Sequence, residues 1–159
     1  MKDIRVGFGY DVHKVVPDRD LWLGGIKLDA PFGLLGHSDA DVLIHAICDA
    51  LLGAANLRDI GFHFPDTDPK YKGADSKDLL HEVVNMLFRR GYDISNIDAT
   101  VCAEKPKLNP YIPEMQKTLA KVMGITPDRV SLKATTTEEL GFTGRKEGIS
   151  AYATVLIFS

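Results

Sequence analysis

IRVGFGYD, the run from Ile4 to Asp11, predicts the first strand of the fold. Its glycines lower the strand propensity and indicate that another stretch of backbone approaches closely. Strand side chains alternate between faces, so Asp11 and His13 point the same way and can bind one ion together. A third candidate ligand, His45, lies on a predicted helix and must reach the same place from elsewhere in the fold.

The candidate ligand set of Asp11, His13 and His45 combines one carboxylate with two imidazoles and contains no thiol. Structural zinc sites usually close with four ligands rich in cysteine, whereas three nitrogen and oxygen ligands leave the fourth position open. The set therefore predicts a zinc ion that is catalytic or binds substrate. Alternatively, Asp11 ends the strand and both histidines are unrelated surface residues. The short pattern alone favours that alternative, and the motifs further along the chain favour the metal site.

The composition predicts one globular domain over residues 1–159, which at this size buries roughly 70% of its unfolded surface. Hydrophobic residues make up 45% and charged residues 26%, as in soluble proteins, and no apolar run approaches the roughly 20 residues that span a bilayer. The net charge of −3 argues against a nucleic-acid surface. Neither nucleic acid nor a membrane is therefore an expected partner.

The N-terminal residues lack the apolar stretch and cleavage site of a secretory signal, which predicts a protein that stays where it is made. This favours the bacterial cytoplasm, while a processed plastid protein given a starting Met would look the same. Cys48 and Cys102 lie in apolar periodic segments without paired spacing. Both are predicted to be reduced core residues.

Strands and helices follow one another in a mixed order. Lys14–Asp20 is predicted to be a mobile polar loop, and a hairpin turns at Gly24-Gly25 between Leu21–Leu23 and Ile26–Leu28. Ser38 with Asp41 has the spacing of a capping box that opens the first helix. The predicted helices and later strands are Asp39–Leu57, Asp75 or Ser76 to Arg89, Ile97–Ala103, Pro113–Met123, Val130–Ala134 and Ile149–Phe158. This order favours an α+β (α/β) sandwich, a mixed β-sheet with three main helices packed on one face.

The segment His37-Ser38-Asp39 is predicted to lie at the N-terminus of the first helix. Unpaired backbone N–H groups and the positive end of the helix dipole favour an anion such as phosphate there. His37 would then donate to a phosphoryl oxygen; alternatively, Ser38 is only a cap and His37 a loop residue. Asp49 lies four residues beyond His45, where it can orient the ligand ring.

Two loops and one strand end carry further polar groups. Asp59–Gly61 and Phe64–Asp68 combine carboxylates with glycine and aromatic rings, which suits hydrogen bonds to the hydroxyls of a sugar or polyol. Lys105–Lys107 offers two cations around a proline and can hold phosphate or a flat base. Alternatively, these acidic and basic loops are only solvated surface.

Thr135, Thr136 and Thr137 provide three consecutive hydroxyl donors for phosphoryl oxygens. Glu138 is a hard oxygen ligand of the kind that Mg²⁺ accepts beside phosphate oxygens. The run therefore predicts a diphosphate clamp, and the alternative is a threonine-rich strand end followed by a glycine turn.

Together, and in this order, the separated runs resemble the 2-C-methyl-D-erythritol 2,4-cyclodiphosphate synthases of the non-mevalonate isoprenoid (MEP) pathway over nearly the whole chain. The resemblance implies a lyase that cyclises 4-diphosphocytidyl-2-C-methyl-D-erythritol 2-phosphate with release of CMP. It also implies a homotrimer with active sites between subunits. The chain is too short to add the cytidylyltransferase domain fused in some relatives, so a single activity is expected.

For single residues, the resemblance implies Zn²⁺ on Asp11, His13 and His45, and Mg²⁺ or Mn²⁺ bound through Glu138 and the phosphates. His37 and Thr136 would stabilise the transition state. The remaining substrate contacts would be, for phosphate, Ser38, Thr135 and Thr137; for methylerythritol, Asp59, Ile60, Gly61, Phe64, Pro65, Asp66, Thr67 and Asp68; and for cytosine, Ala103, Glu104, Lys105, Pro106, Lys107, Leu108 and Asn109. Asn109 stands where a less polar residue is expected. Phe142, Arg145 and Glu147 would lie near the threefold axis, where relatives can hold an isoprenoid diphosphate.

The implied substrate contains both the nucleophile, its 2-phosphate, and the electrophile, its β-phosphorus. The 2-phosphate is already an anion near neutral pH, so it can attack and expel CMP without a protein base. Two rival interpretations stay open. One is a zinc-dependent phosphohydrolase acting on a nucleotide diphosphate substrate, since a metal can lower the pKa of bound water to about 7. The other is a non-enzymatic binder of isoprenoid or nucleotide diphosphates with a structural metal.

Overall fold

The computed structural model of the protein describes residues 3–159. In chain order, its strands are β1 (Ile4–Pro17), β2 (Leu21–Leu23), β3 (Ile26–Leu28), β4 (Phe32–Leu34), β5 (Asp93–Cys102), β6 (Val130–Thr135) and β7 (Gly148–Phe158). Its helices are α1 (Val42–Ala54), α2 (Ile60–His63), α3 (Ser76–Arg89), α4 (Ile112–Met123) and α5 (Gly141–Gly144). Short 3-10 turns cover Pro69–Tyr71, Asn109–Tyr111 and Pro127–Arg129.

Five strands form one mixed sheet in the order β4-β1-β7-β5-β6, and β2 pairs with β3 in a separate hairpin. The β5–β6 pair is parallel, while β1 pairs antiparallel with β4 and β7, and β7 antiparallel with β5. Helix α1 packs across β1 and β7, α4 packs against β6, and α3 packs on both helices. The predicted α+β architecture with a mixed sheet is confirmed.

Helix α1 lies unusually close to β1. Gly7 and Gly9 face it, and a Cβ atom added to either glycine would lie 1.9 Å from a carbonyl oxygen of the helix, that of Ala50 or Ala46 respectively. Only a residue without a side chain fits such a contact. The close backbone approach predicted from these glycines is therefore confirmed.

The opposite face of the sheet is apolar and exposed. Val6 and Phe8 on β1 are 67% and 64% exposed, and the same face carries further large side chains from β1 and β7, namely Ile4, Tyr10, Val12 and Tyr152. The Tyr10 and Tyr152 rings are 5.0 Å apart between centroids. A contiguous apolar patch of this kind usually marks a surface that another molecule covers.

Two sequence predictions about the N-terminal half are wrong. Lys14–Pro17 is not loop but the end of β1, because Val15 and Pro17 pair with Leu34 and Phe32 of β4. The first helix begins at Val42, not Asp39, and ends at Ala54. Its N-cap is Asp41, whose side chain accepts from the Ile44 amide.

The cap lies at Asp41 because its carboxylate also accepts from the Gly24 and Gly25 amides at 3.0 and 2.7 Å, fastening the β2–β3 turn to the helix. Burial raises the pKa of Asp41 although three backbone N–H groups stabilise its charged form. Ser38 caps nothing in α1, so the predicted capping box is wrong. Its hydroxyl instead accepts from the Ala40 amide at 3.2 Å.

The remaining predicted elements are present, although β5 begins at Asp93 and not at Ile97, and β4, α2 and α5 were not predicted. The hairpin has its predicted limits, α3 begins after the Asp75 cap, and α4 ends at Gly124 in the left-handed region with φ of 69°. Cys48 is buried and Cys102 partly buried, and both are free thiols. Among residues 3–159, no helix is long and apolar enough to cross a bilayer.

Candidate functional site

Three side chains converge where β1 meets α1. The Asp11 Oδ2 atom lies 2.8 Å from His13 Nε2 and 3.1 Å from His45 Nδ1, and the two ring nitrogens are 3.1 Å apart. Asp11 and His13 share the helix-facing side of β1, and His45 enters from the first turns of α1. The predicted alternation of side chains along β1 therefore brings Asp11 and His13 together, and α1 adds His45.

These three atoms fit a shared divalent metal ion. Zinc takes nitrogen and oxygen ligands at about 2.0–2.2 Å, and atoms roughly 3 Å apart can all lie at that distance from one ion. Among residues 3–159, Asp11, His13 and His45 form the group of three acidic and histidine side chains whose ligand atoms all lie within 4.8 Å of one another. His13 and His45 also line the cavity described below, so an ion held by the three residues would be reachable from that cavity.

The triad is electrostatically coupled. Burial raises the pKa of Asp11, but hydrogen bonds from His13 and His45 outweigh it and bring the pKa to about 2. Burial lowers the pKa of His13, whereas the hydrogen bond with Asp11 raises it, and the net shift is upward. The carboxylate is therefore held charged, as a metal ligand must be.

Each imidazole has a partner on the side away from the triad. His13 Nδ1 donates to the Leu35 carbonyl at 2.8 Å, and His45 Nε2 lies 3.0 Å from the Ser76 hydroxyl and 3.2 Å from that of Ser38. Asp49 is not among these partners. It accepts from the Ile60 amide at 2.7 Å, so the prediction that it orients His45 is wrong.

A cavity of about 430 Å³ opens beside the triad, and we call it the metal pocket. Its lining includes His13 and His45 together with seven of the predicted phosphate and methylerythritol contacts, which are His37, Ser38, Ile60, Gly61, Phe64, Pro65 and Asp66. Tyr71 also lines it, and its ring meets that of Phe64 edge-on at 5.3 Å. The structure therefore gathers sequence-distant residues into one cleft.

Asp59, Thr67 and Asp68 belong to the same loops but do not line the metal pocket. Asp59 precedes α2 as its N-cap residue, and Asp68 accepts from the Lys70 amide at 2.9 Å at the start of the next turn. His37 and Ser38 lie ahead of α1 and not on its first turn, because Asp41 occupies the helix N-terminus. The prediction that these residues lie at the N-terminus of that helix is therefore wrong.

A second, smaller cavity of about 170 Å³ lies at the sheet edge, and we call it the threonine pocket. It gathers the predicted cytosine contacts Ala103, Glu104, Pro106, Lys107, Leu108 and Asn109 with Ala134, Thr135 and Thr136. Lys105 lines a neighbouring cavity beside Phe32. The loop after β5 and the end of β6 thus form one surface, as their parallel pairing requires.

The loop after Thr135 is tightly bonded. Glu104 Oε1 accepts from the Thr137 amide at 3.0 Å, the Thr137 hydroxyl at 3.3 Å and the Glu139 amide at 3.4 Å. The Thr136 hydroxyl donates to Glu138 Oε1 at 3.2 Å. Glu138 and Glu139 both adopt positive φ, 53° and 63°, a conformation that costs energy without glycine and often occurs at functional sites.

The two pockets lie well apart within one chain. Asp11 pairs with Ala151, Ala151 with Val101, and Val101 with Ala134, the residue before Thr135. Three strand spacings separate the triad from the threonine pocket, which is about 14 Å. The structure does not bring the zinc candidates and the threonine clamp together in one subunit.

The predicted axis residues form a third group. Phe142 lies on α5 and is exposed, and the Arg145 guanidinium donates to Glu147 Oε1 at 2.8 Å. Both charged residues lie just before β7.

Sequence reasoning missed two residues that support the metal pocket. Arg19 donates to the Ser38 carbonyl at 2.6 Å and so holds the segment that carries His37. Ser76 contacts His45 and donates to Asp39, 37 positions away. In the sequence, Ser76 follows the Asp75 cap and so indicates only the start of a helix. Nothing in the linear pattern indicates that it also contacts His45.

The sequence pattern of the YgbB family matches residues 4–158. The 2-C-methyl-D-erythritol 2,4-cyclodiphosphate synthase of Parabacteroides distasonis is 71% identical over 154 residues, covering 97% of this chain and 96% of that protein. A solved 2C-methyl-D-erythritol-2,4-cyclodiphosphate synthase in its CDP-bound form is similar with a TM-score of 0.89 and 36% identity, covering 96% of this chain and 99% of that one.

The bifunctional IspDF from Campylobacter jejuni is similar with a TM-score of 0.96 and 42% identity over 99% of this chain. This chain spans 43% of the length of that larger protein. Family pattern, sequence identity and fold agree over almost all described residues. The chain belongs to the YgbB family and is a relative of the 2-C-methyl-D-erythritol 2,4-cyclodiphosphate synthases.

Proposed function

We propose that this protein, acting as a single domain over residues 1–159, converts 4-diphosphocytidyl-2-C-methyl-D-erythritol 2-phosphate to 2-C-methyl-D-erythritol 2,4-cyclodiphosphate in isoprenoid biosynthesis. An oxygen of the 2-phosphate forms a new bond to the β-phosphorus. The bond from that phosphorus to the bridging oxygen breaks, and CMP leaves with the oxygen and its electron pair. The two relatives named above with their organisms, from Parabacteroides distasonis and Campylobacter jejuni, are bacterial, which favours the bacterial cytoplasm as the place of the reaction.

One observation carries this proposal: the Asp11–His13–His45 triad opens onto the metal pocket in a chain 71% identical to a synthase of that name. A carboxylate and two neutral imidazoles suit zinc, so we propose Zn²⁺ there and a second ion, Mg²⁺ or Mn²⁺, bound through Glu138 and the phosphates. Such ions supply Lewis-acid polarisation and charge neutralisation when bound.

The protein's own groups would align the two ends of the substrate. The 2-phosphate is an anion near neutral pH, so no side chain has to remove a proton from the nucleophile. His37 and Ser38 line the metal pocket and would donate to phosphate oxygens, with His37 and Thr136 directed at the charge that develops in the transition state. Binding the 2-phosphate and the β-phosphate next to each other means that their loss of conformational freedom is already covered by substrate binding. This lowers the activation barrier by several kcal/mol.

We place the methylerythritol in the metal pocket and the cytosine in the threonine pocket. Phe64 and Tyr71 provide apolar walls and Asp66 a hydroxyl acceptor in the first. In the second, Ala103, Pro106 and Leu108 provide flat apolar contact, while Thr135 and Lys107 lie at its rim for phosphate. Thr137 is bonded to Glu104, so its proposed role is to shape this loop through its backbone.

A homotrimer would unite the two pockets. They lie about 14 Å apart in one chain, too far for one diphosphate to touch both, so a neighbouring subunit has to supply one of them. The exposed apolar face of β1 and β7 provides the surface for such an assembly. Phe142, Arg145 and Glu147 lie beside β7 and would approach the threefold axis.

The test is to incubate the purified protein with the cytidyl substrate in ¹⁸O water and follow it by ³¹P NMR and mass spectrometry. We expect a cyclic diphosphate and CMP in equal amounts with no ¹⁸O in either product. A linear phosphate product containing one ¹⁸O atom would show a hydrolase instead. Chelator treatment should stop the reaction, and added Zn²⁺ with Mg²⁺ should restore it.

A further inference from the structure

Two residues outside the ligand triad, Ser76 and Asp39, form a hydrogen-bonded pair, and Ser76 contacts the His45 ring on the side away from Asp11 and His13. Ser76, on the first turn of α3, has no solvent exposure, and its hydroxyl lies 3.0 Å from His45 Nε2. The same hydroxyl lies 2.5 Å from Asp39 Oδ1. A chain of hydrogen bonds therefore runs from the Asp39 carboxylate through the Ser76 hydroxyl to the His45 ring, whose far side faces the candidate metal site.

Asp39 is itself firmly placed. Its Oδ2 accepts from the Ser76 amide at 2.9 Å and its Oδ1 from the Asp41 amide at 3.1 Å. Its own amide donates to the Ala74 carbonyl at 3.1 Å. The carboxylate therefore joins the segment before α1 to the start of α3 and offers only acceptor atoms to Ser76.

Counting protons gives the direction of each hydrogen bond. A serine hydroxyl has one proton, and an ionised carboxylate can only accept, so the Ser76 proton goes to Asp39. Toward His45, Ser76 can then only accept, so this contact requires a proton on Nε2. The other ring nitrogen, Nδ1, faces the triad at 3.1 Å from both Asp11 Oδ2 and His13 Nε2, and it is the nitrogen that a bound ion would meet.

A His45 ring without a proton on Nε2 is disfavoured by the contacts on that side of the ring. Ser38 lies 3.2 Å from His45 Nε2 and would have to donate to it, since the ring nitrogen would carry no proton. That arrangement would place the Ser76 lone pairs 3.0 Å from the Nε2 lone pair, a repulsive contact in a buried site. With Nε2 protonated, both hydroxyls accept without conflict.

His13 reaches the same end in a different way. Its Nδ1 lies 2.8 Å from the Leu35 carbonyl, which can only accept, so Nδ1 is protonated and Nε2 is free for the metal. The backbone fixes the first imidazole, whereas side chains fix the second. Only the second can be altered by substitution without touching a ligand.

We propose that Asp39 and Ser76 are positioning residues that lock His45 as the Nε2-protonated tautomer and so present its Nδ1 to the metal. The inference rests on the proposed function for the presence of the metal, and it adds residues that the triad does not include. Partners of this kind typically change metal affinity about 10- to 100-fold when removed.

The position of the His45 proton is read in the zinc-loaded protein without substrate, because without metal the charged Asp11 carboxylate, 3.1 Å from Nδ1, can also accept from that nitrogen. Long-range ¹H–¹⁵N NMR spectra, with His45 assigned by His45→Gln, distinguish the two protonated nitrogens. We expect His45 protonated at Nε2 in the unmodified protein and faster exchange of that proton with water in Ser76→Ala. A wild-type His45 protonated at Nδ1 would overturn the proposal whatever the variants do.

Zinc affinity is then measured by competition with a chromogenic chelator. We expect Ser76→Ala to raise the Kd for Zn²⁺ about 10- to 100-fold with its circular dichroism unchanged. Ser131→Ala is the matched control, because that hydroxyl also bonds a carboxylate, Asp98, but lies on β6 away from the triad. Asp49→Asn tests the rival orienting residue and should leave the tautomer unchanged.

Unaltered zinc affinity in a folded Ser76→Ala protein would overturn the proposal. Failure of the proposed function looks different. If the protein binds zinc, keeps the Nε2 tautomer and shows the Ser76 effect but releases no CMP, the positioning role stands and the cyclase assignment falls.

Discussion

The metal pocket and the threonine pocket are built in different ways. Asp11, His13 and His45 lie between a sheet and a packed helix, and the two imidazoles have partners behind them. The threonine pocket lies on β6, the edge strand of the sheet, and continues into an exposed loop with positive φ at Glu138. The imidazoles of the metal pocket have hydrogen-bond partners within their own chain, whereas the threonine pocket continues into an exposed loop.

This difference indicates how the work of the site is divided. A metal centre needs ligands fixed to within a fraction of an ångström, which buried elements provide. The threonine pocket has to close on a substrate held elsewhere, and about 14 Å separates the two pockets in one chain. The arrangement suits a site shared by two copies, each giving its rigid pocket to one reaction and its edge to another.

The largest effect is expected in the metal pocket. His13→Ala removes one of three ligands and should lower CMP release at least about 10³-fold, since charge neutralisation and alignment are both lost. Zinc per chain, measured by plasma mass spectrometry, should fall with it, while circular dichroism stays close to wild type. His81→Ala, an exposed histidine on α3, is the control. Full turnover by metal-free His13→Ala would contradict the metal assignment.

A smaller loss is expected in the threonine pocket. Thr136→Ala removes a donor to phosphate and should lower turnover about 10²-fold with zinc content unchanged. Thr126→Ala, at an exposed threonine away from both pockets, should behave as wild type. Loss of zinc in Thr136→Ala would show that the two pockets are not separable.

Mixing the two variants tests the separation directly. In trimers co-expressed from equal amounts of His13→Ala and Thr136→Ala chains, some sites would combine an intact metal pocket with an intact threonine pocket. Random mixing gives about one quarter of the wild-type rate if each site draws its pockets from different subunits. No recovery in verified mixed trimers would mean that both pockets of a site come from one chain.

Assembly should matter to the threonine pocket more than to the metal. Phe8→Glu places a charge on the exposed apolar face and should dissociate the trimer in light scattering, lowering CMP release about tenfold or more. Zinc binding should persist. Phe88→Glu puts the same change on the exposed surface of α3 as a control. A Phe8→Glu protein that remains trimeric would show that this face is not the interface.

The smallest effect concerns the stability of the metal-free protein. The Asp11 pKa is about 2 when folded against 3.8 unperturbed, so its contribution is present above pH 4 and is lost as the pH falls through 2. At pH 7, Asp11→Asn should lower the free energy of unfolding by roughly 2 kcal/mol, and the difference should shrink toward pH 2. Urea titrations across this range measure it. A difference that is independent of pH would contradict the charge argument.

Much of the fold follows from local sequence patterns. The Asp11 and His13 placement needs only strand alternation, and Gly124 ends α4 by adopting a left-handed conformation that glycine allows. Gly7 and Gly9 correctly indicated a close neighbour. The first two features depend on residues a few positions apart, and the glycines indicate a close neighbour without identifying it, so the sequence alone can predict this much.

The errors share the opposite property. Asp41 and not Ser38 caps α1 because the Gly24-Gly25 turn folds over it, a contact between distant segments. Lys14–Pro17 is a strand because β4 pairs with it. Ser76 meets His45 across 31 positions, whereas the nearer Asp49 turns to Ile60. Partners chosen by tertiary packing leave no periodic signal in the chain.

Gly7 and Gly9, which have no Cβ atom, set the distance between the strand and the helix that carry the three candidate ligands. Because Gly7 and Gly9 let the helix backbone settle against the strand, a short imidazole on one element reaches a short carboxylate on the other. An alanine at Gly9 would push the helix outward and pull the ligands apart while leaving every one of them in place. Such a variant should bind zinc weakly although Asp11, His13 and His45 are all unchanged.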